Sequence, residues 1–499
     1  MRVWRSQAQV KERMLYSISE MSGNISLGVN NADITTLECA LLERMYYCKV
    51  KGAFEAPPLV TTGLYSTRLS TFTAKLRRIL KTAAPISLDN VVEMYSGRKK
   101  SIYANAKTKY ERYGLTRKHG NLNSFVKLEK VNPSKAPRCI QPRNSVYNVL
   151  LATFIKPIEH RVYDAIRKIY GDGPTVIKGY NVQQIGAIVR GKWKSFENPV
   201  AIGLDATKFD MHVSVEALEW EHSVYNGVYR SKTLSKMLRW QVENKGFGWC
   251  KDGFLRYEVR GRRASGDMNT SLGNCLIMCA LVYEYALHRG VQIKLCNNGD
   301  DCVVMMERRD ERAFMDGLDN WFLEMGFRMV AEEPVYDLNH IEFCQMRPIE
   351  LDTGECVMVR NVPTALRKDS LCTVDIRNLK ARKGWLSAVG KGGLALTGGI
   401  PVAQNFYRAC VRLGEGYENK IATHLQRLSG MGMMSMGMAG TYSEPSANVR
   451  LQVFKAWGIS PDMQLAFERH MDDFCLSDAP VSAVDTHHNF STIFHALSR

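Results

Sequence analysis

Residues 295–305, LCNNGDDCVVM, place an Asn-Gly pair between two apolar runs. That pattern is the strongest short-range signal for a β-hairpin a chain can carry. The hairpin would present Asp300 and Asp301 at its tip. Asp is at home in turns, so a solvated tip accounts for the shape. Two adjacent carboxylates in a chain with a formal charge of +17 need a further reason, which must come from partners elsewhere in the sequence.

The chain has 499 residues, 45% of them hydrophobic, enough for a large core and for roughly two to four domains. Its 67 Lys and Arg against 50 Asp and Glu suit a polyanionic partner. Charge alone does not choose between nucleic acid and an anionic membrane surface. The 13 cysteines are scattered and never spaced Cys-x-x-Cys, which argues against a disulfide framework or a zinc site and for a reducing compartment. Cys275 and Cys279 share a helical face and read as buried thiols. The most apolar run, 275–283, is nine residues, short of the about 20 a membrane span needs, so no transmembrane segment and no secretory signal are expected. MGMMSMGMAG (431–440) is the only low-complexity stretch and reads as a loop or core filler.

Along the chain, the first 80 residues carry no motif that assigns them a task. Residues 88–113 read as helix around a basic break at Gly97, with Tyr95, Tyr103 and Tyr110 spaced either to stack on bases or to line an amphipathic face. The stretch 124–143, SFVKLEKVNPSKAPRCIQPR, holds five basic residues and one acidic one around a Pro-rich turn. It predicts a stiff basic hairpin presenting Lys127, Lys130, Lys135, Arg138 and Arg143, either a solvated edge or a clamp for phosphates. At 198–225 an apolar strand, 200–204, ends at Asp205; Asp210 follows in a short turn, and an amphipathic helix starts after Ser214. A carboxylate at the end of a buried strand is costly unless something pairs with it.

A second hairpin is predicted around Lys251-Asp252-Gly253, leading into ASGDMNTSLGN and an almost wholly apolar helix through Leu287. Phe314, Leu318, Trp321, Phe322 and Met325 recur at helical spacing up to Gly326, and strands flank the Asp352-Thr353-Gly354 turn. The rest, to about 475, reads as helical, with a loosely ordered tail. Hard carboxylate oxygens are the ligands Mg²⁺ needs, and a pair of such ions can stabilise both oxygens of an in-line phosphoryl displacement. Asp205 and Asp300 could supply those oxygens if their strands are neighbours.

The order of these pieces resembles the viral RNA-dependent RNA polymerases, and is close to the Tombusviridae-like plant positive-strand RNA viruses. The resemblance rests on FVKLEK with APRCIQPR, AIGLDATKFDMHVS, SGDMNTSLGN, NGDD, EEPVYDLNHIEFCQMRPI and GGLALTGGIPVAQNFY, and covers about residues 90–470. It implies an α+β right-hand polymerase whose antiparallel palm sheet is backed by helices, with a helical thumb. The divisions would be an N-terminal extension (1–80), fingers (81–194), palm (195–349, with a finger insertion at about 227–262), thumb (350–478) and a tail (479–499).

By the same resemblance Asp205, Asp300 and Asp301 would be catalytic and hold Mg²⁺, with Mn²⁺ as an alternative. Asp210, Asn269 and Thr270 would read the ribose of the incoming nucleotide through its 2′-hydroxyl. Lys127, Lys130, Arg138 and Arg143 would hold the triphosphate; Ser265 and Gly266 would lie beside template and product, and Cys344 and Gln345 would support the product 3′ end. Where many such polymerases place a Lys after the palm helix this chain has Arg328, a poor proton donor, so the general acid is unassigned. The implied partners are viral RNA, NTPs, a companion viral replication protein and host membranes or factors, in membrane-associated replication complexes of the host-cell cytoplasm. A reverse transcriptase and a non-catalytic basic RNA-binding protein are the rival readings; the first usually has a bulky aromatic where Asp210 stands, and the second has no need of Asp205 together with Asp300.

Overall fold

The computed structural model describes residues 1–18, 27–171, 173–417, 435, 437–475 and 483–484. It is a mixed α+β protein with several small sheets. The tail beyond 484 and half of MGMMSMGMAG lie outside the described residues.

At the centre stands a four-stranded antiparallel sheet in the order Lys294–Asn298, Asp301–Glu307, Pro199–Ala206, Met329–Ala331. Its two longest strands are apolar at nearly every position because both faces are covered. Val200, Ile202, Leu204, Val304 and Met306 join one core with helices Ser145–Tyr170, Val215–Tyr229 and Thr270–Arg289. Ala201, Val303 and Met305 join a second core with helices Val182–Trp193, Leu379–Thr397 and Ala403–Leu413. The period-2 alternation of a strand thus divides one apolar run between two cores.

A five-stranded sheet lies to one side, in the order Arg2–Arg5, Gly253–Arg260, Glu243–Cys250, Leu122–Val126, Cys139–Ile140. It contains both the basic hairpin and the Lys251-Asp252 hairpin. Its inner face packs on helix Ile34–Leu41, whose first amide, Ile34 N, donates to Asp252 Oδ1 at 3.0 Å.

Residues 1–80 do not stand apart as an extension. Arg2–Arg5 is an edge strand of the five-stranded sheet, Leu15–Ser17 pairs with Leu371–Cys372, and Gly28–Val29 pairs with Lys130–Val131. Helix Ser70–Ile79 meets helix Thr270–Arg289, where Phe72 N donates to Glu284 Oε1 at 2.5 Å. The helix expected through Phe314 and Met325 is broken in two, Glu311–Met315 and Leu318–Glu324, because Gly317 takes φ 77° between them.

Among the described residues one helix, Thr270–Arg289, is long and apolar enough to cross a membrane, and 78% of its most apolar window is buried inside the protein. It is the core helix of the fold, longer than the nine-residue run had indicated. All 13 cysteines are free thiols. Tyr95 and Tyr103 meet edge to face at 4.9 Å with Lys99 Nζ 4.3 Å from the Tyr95 centroid, a local cluster that engages both rings.

Candidate active site

Asn298 pairs with Asp301, so the turn itself is Gly299-Asp300, one residue later than the Asn-Gly signal placed it. Gly299 has φ 84°, the conformation a hairpin of this kind requires at its first turn position. Asn297 braces the turn by donating to Gly299 O at 2.7 Å. The shift separates the two carboxylates: Asp300 is at the tip and Asp301 is the first residue of the returning strand. Asp301 stands in register opposite Asp205 on the neighbouring strand.

Asp205 and Asp300 both line a cavity of about 440 Å³, together with Asp210. Asp300 reaches water through the cavity mouth, yet protein surrounds most of it, and this burial with the Asp205 charge raises its pKa. Asp301 lies just outside, against Cys344, and burial with the Asp300 charge raises its pKa to about 6. Asp210 is also raised to about 6, mainly by burial and further by Asp300, while Asn274, Arg263 and Arg44 oppose the rise. Glu332 adds a fourth acid near Asp205, raised by burial, Glu342 and Asp205.

The cavity lining also carries five basic residues. Lys127, Arg138, Arg44, Lys208 and Arg263 line the same cavity, with Ser265 at its side. Arg138 Nε donates to Glu129 Oε1 at 2.6 Å and Lys127 Nζ lies 2.9 Å from Glu129 Oε2, so one carboxylate holds both cations of the hairpin. Lys208, itself in the left-handed region at φ 48°, points back to Glu43 at 3.3 Å.

Several residues fall elsewhere than expected. Arg143 is not at the cavity: its guanidinium is fully buried, paired with Asp267 and donating to Asn244 Oδ1 at 2.6 Å. It braces the loop 264–269 against the hairpin strands, and it does so because an ionised arginine cannot be buried without such partners. Lys130 is likewise withdrawn, its ammonium donating to the carbonyls of Lys368 and of Leu371, the latter at 2.8 Å.

Asn269 is buried beneath the site, donating to Glu221 Oε1 at 2.8 Å and pairing amide to amide with Gln241. Thr270 Oγ1 is used by Ala264 O at 3.0 Å. The side chain that touches Asp210 is Asn274, whose Nδ2 donates to Asp210 Oδ1 at 2.9 Å. Gly266 bridges to Pro142, and a Cβ there would sit 2.5 Å from Pro142 N, so this glycine permits a close backbone crossing. Cys344 and Gln345 form the tip of a tight turn closed by Phe343 and Met346, both at positive φ, and Asn298 Nδ2 lies 3.1 Å from Cys344 Sγ. The turn is therefore held against the Asp300 hairpin. Arg328 pairs with Glu55 at 2.7 Å and is not among the residues lining the cavity.

The residues missed from sequence are Arg44, Lys208 and Arg263. Lys208 sits inside the motif already singled out, between Asp205 and Asp210, and its spacing alone could have flagged it. Arg263 closes a run of arginines and is turned inward by a buried ion pair with Glu221. Arg44 comes from the segment Leu42–Tyr46, in the region without a motif; its buried Nε has no hydrogen-bond partner.

One cavity thus gathers carboxylates with guanidinium and ammonium groups, side chains whose chemistry suits hard cations and phosphates. The chain belongs to a family described as viral RNA dependent RNA polymerase, matched over residues 1–478. It is 40% identical over 499 aligned positions to the RNA-directed RNA polymerase of oat chlorotic stunt virus (isolate United Kingdom), covering 95% of this chain and 66% of that protein. It is 38% identical to the RNA-directed RNA polymerase of turnip crinkle virus, covering 95% and 62%, and 37% identical to that of tomato bushy stunt virus (strain Cherry), covering 96% and 58%. The chain thus spans a little under two thirds of the length of these relatives.

Proposed function

We propose that the chain catalyses template-directed RNA synthesis from NTPs on a positive-strand plant-virus RNA, the activity named for its relatives. The observation that carries this reading is the convergence of Asp205 and Asp300 on one cavity that Lys127 and Arg138 also line. In this reading 195–349 is the palm, 81–194 with 227–262 the fingers, and 350–478 the thumb of a right-hand polymerase.

Among the described residues no cluster of three or more His, Cys, Asp or Glu forms a ready-made metal cage. The donor set nevertheless fits Mg²⁺, which commonly takes one or two carboxylates and completes its shell with water and substrate phosphates. Asp205 and Asp300 would hold it, with Asp301 in support; burial first and the Asp205 charge second disfavour an ionised Asp300, and a cation would offset both. Bound there, Mg²⁺ supplies charge neutralisation at the reacting phosphate and an activated 3′-hydroxyl, and Mn²⁺ can replace it.

The protein's own part is positioning. Arg138 and Lys127 exchange Glu129 for the triphosphate, and Arg44 and Lys208 add further cations to the cavity. Asp210 faces the ribose, held by Asn274, while Asn269 and Thr270 support it from beneath. Cys344 and Gln345 steady the product 3′ end, with Ser265 and Gly266 beside the template pair. Arg143 and Lys130 are braces for this apparatus. Initiation without a primer, a companion viral replication protein and host membranes in the cytoplasm complete the proposal.

Labelled-nucleotide incorporation by purified protein with template RNA, NTPs and Mg²⁺ tests it. Wild type incorporates label and Asp300→Ala does not; equal incorporation by the two, or none by either, overturns the reading.

A further inference from the structure

The outer face of the five-stranded sheet is exposed and aromatic. Trp4, Phe254 and Trp249 stand opposite one another on adjacent strands, with Phe254 between the two indoles at 5.2 and 4.2 Å. Trp4 is 50% and Trp249 67% exposed. Continuing the register of Glu243–Cys250 on Leu122–Val126, where Gly248 faces Ser124, places Phe125 beside Trp249. Phe125, also exposed, pairs with Ile140, and Ile140 lines the active-site cavity. Four rings in one row therefore cross the sheet from its free edge, three strand spacings or roughly 14 Å, and Ile140 on the fifth strand joins the row to the cavity.

Most of the flanking positions on this face are charged, Phe247 and Asn123 excepted. Arg2 and Arg256 pair across strands in the next row, followed by Lys245 and Arg260, against Glu243 and Glu258. Glu258 contacts Lys245 and Arg256 only at 3.4 and 3.5 Å. The inner face is closed by helix Ile34–Leu41, so packing within the fold gives the rings no reason to be outside.

We infer that this face binds single-stranded RNA, stacking bases on Trp4, Trp249 and Phe125 and pairing phosphates with Arg2 and Arg256, on a path that ends at the cavity. Sheet faces carrying aromatic rings stack about two or three bases in this manner, and any base has a face to offer. The net positive charge of the patch selects a polyanion, and its continuity with the cavity selects one that must reach the catalytic carboxylates.

Fluorescence anisotropy with a short unstructured labelled RNA tests this without requiring catalysis, so it can fail while the polymerase reading stands. The variant with Trp4→Ala and Trp249→Ala together binds about tenfold more weakly, Trp249→Tyr binds nearly as wild type, and Arg256→Ala flattens the salt dependence. In wild type the RNA also quenches indole fluorescence, a readout that needs no variant. Unchanged affinity with unquenched fluorescence overturns the inference. So does loss of self-association in the double variant with RNA binding intact, which would make the face a protein interface.

Discussion

Asn274 Nδ2 lies 2.9 Å from Asp210 Oδ1, and Asn274 Oδ1 accepts from Arg263 Nε at 3.0 Å. Asn274 thereby connects the carboxylate proposed to read the ribose to the buried Arg263–Glu221 pair, which also holds Asn269 and Tyr225. If this arrangement presents Asp210 to the 2′-hydroxyl, Asp210→Ala loses the preference for NTP over dNTP, and Asn274→Ala loses part of it. The expected fall in the ratio of kcat/KM values is about tenfold or more, the scale of one hydrogen bond to a charged group. An equal loss for both substrates would remove Asp210 from ribose selection.

Arg143 and Asp267 are 124 residues apart in sequence and meet inside the protein with both side chains almost wholly buried. Removing one member of such a pair strands the other charge, at a cost of about 3–5 kcal/mol. Asp267→Ala is therefore expected to lower the thermal midpoint sharply. Arg138→Ala, at a half-exposed side chain, leaves the midpoint near wild type and raises the KM for NTP. Thermal unfolding beside steady-state kinetics separates these two arginines, which in sequence stand in one basic run.

That contrast marks what the sequence could disclose. The 295–305 hairpin, the strand that brings Asp205 to its end and the helix after Ser214 rest on short-range rules, turn chemistry, alternation and capping; all three form, the turn and the strand end each one residue later than the pattern indicates. The convergence of Asp205, Asp210 and Asp300 was open to inference because strand pairing joins segments that each carry a local signal. The division of 124–143 into cavity-lining and bracing cations was not legible, since it depends on Asp267, Asn244 and the 368–371 turn. The role of residues 1–80 was hidden for the same reason: short strands and a helix acquire meaning only from the distant segments they pair with.

Arg44 is the sharpest case, a cation carried by that motif-free region to the cavity that Asp300 lines. Burial lowers its pKa and nearby Arg138 adds to the effect, and its Nε has no protein acceptor. A triphosphate would supply one. Arg44→Ala is expected to raise the KM for NTP by about tenfold to a hundredfold, the range for a hydrogen bond between charged groups, with Arg44→Lys intermediate because it keeps the charge and loses the fork. A KM that does not move would place Arg44 outside the nucleotide's reach.

His222 offers a test in pH. It is buried beneath the site, with its Nε2 3.2 Å from Gln241 Oε1, and burial lowers its pKa from 6.5 to about 4. The folded protein thus resists a proton that the unfolded chain takes up below about pH 6.5. Its contribution to stability is present above that pH and is lost as pH falls toward 4, by about 3 kcal/mol at most. Asp210 and Asp301, raised to about 6, act in the opposite sense over the same window, because the folded protein takes up their protons first. The total profile therefore hides the histidine, and a comparison with His222→Gln isolates it. The stability of wild type relative to that variant is expected to fall steadily between pH 6.5 and 4.5 in denaturant titrations; a difference that stays flat would show that His222 accepts its proton without leaving the fold.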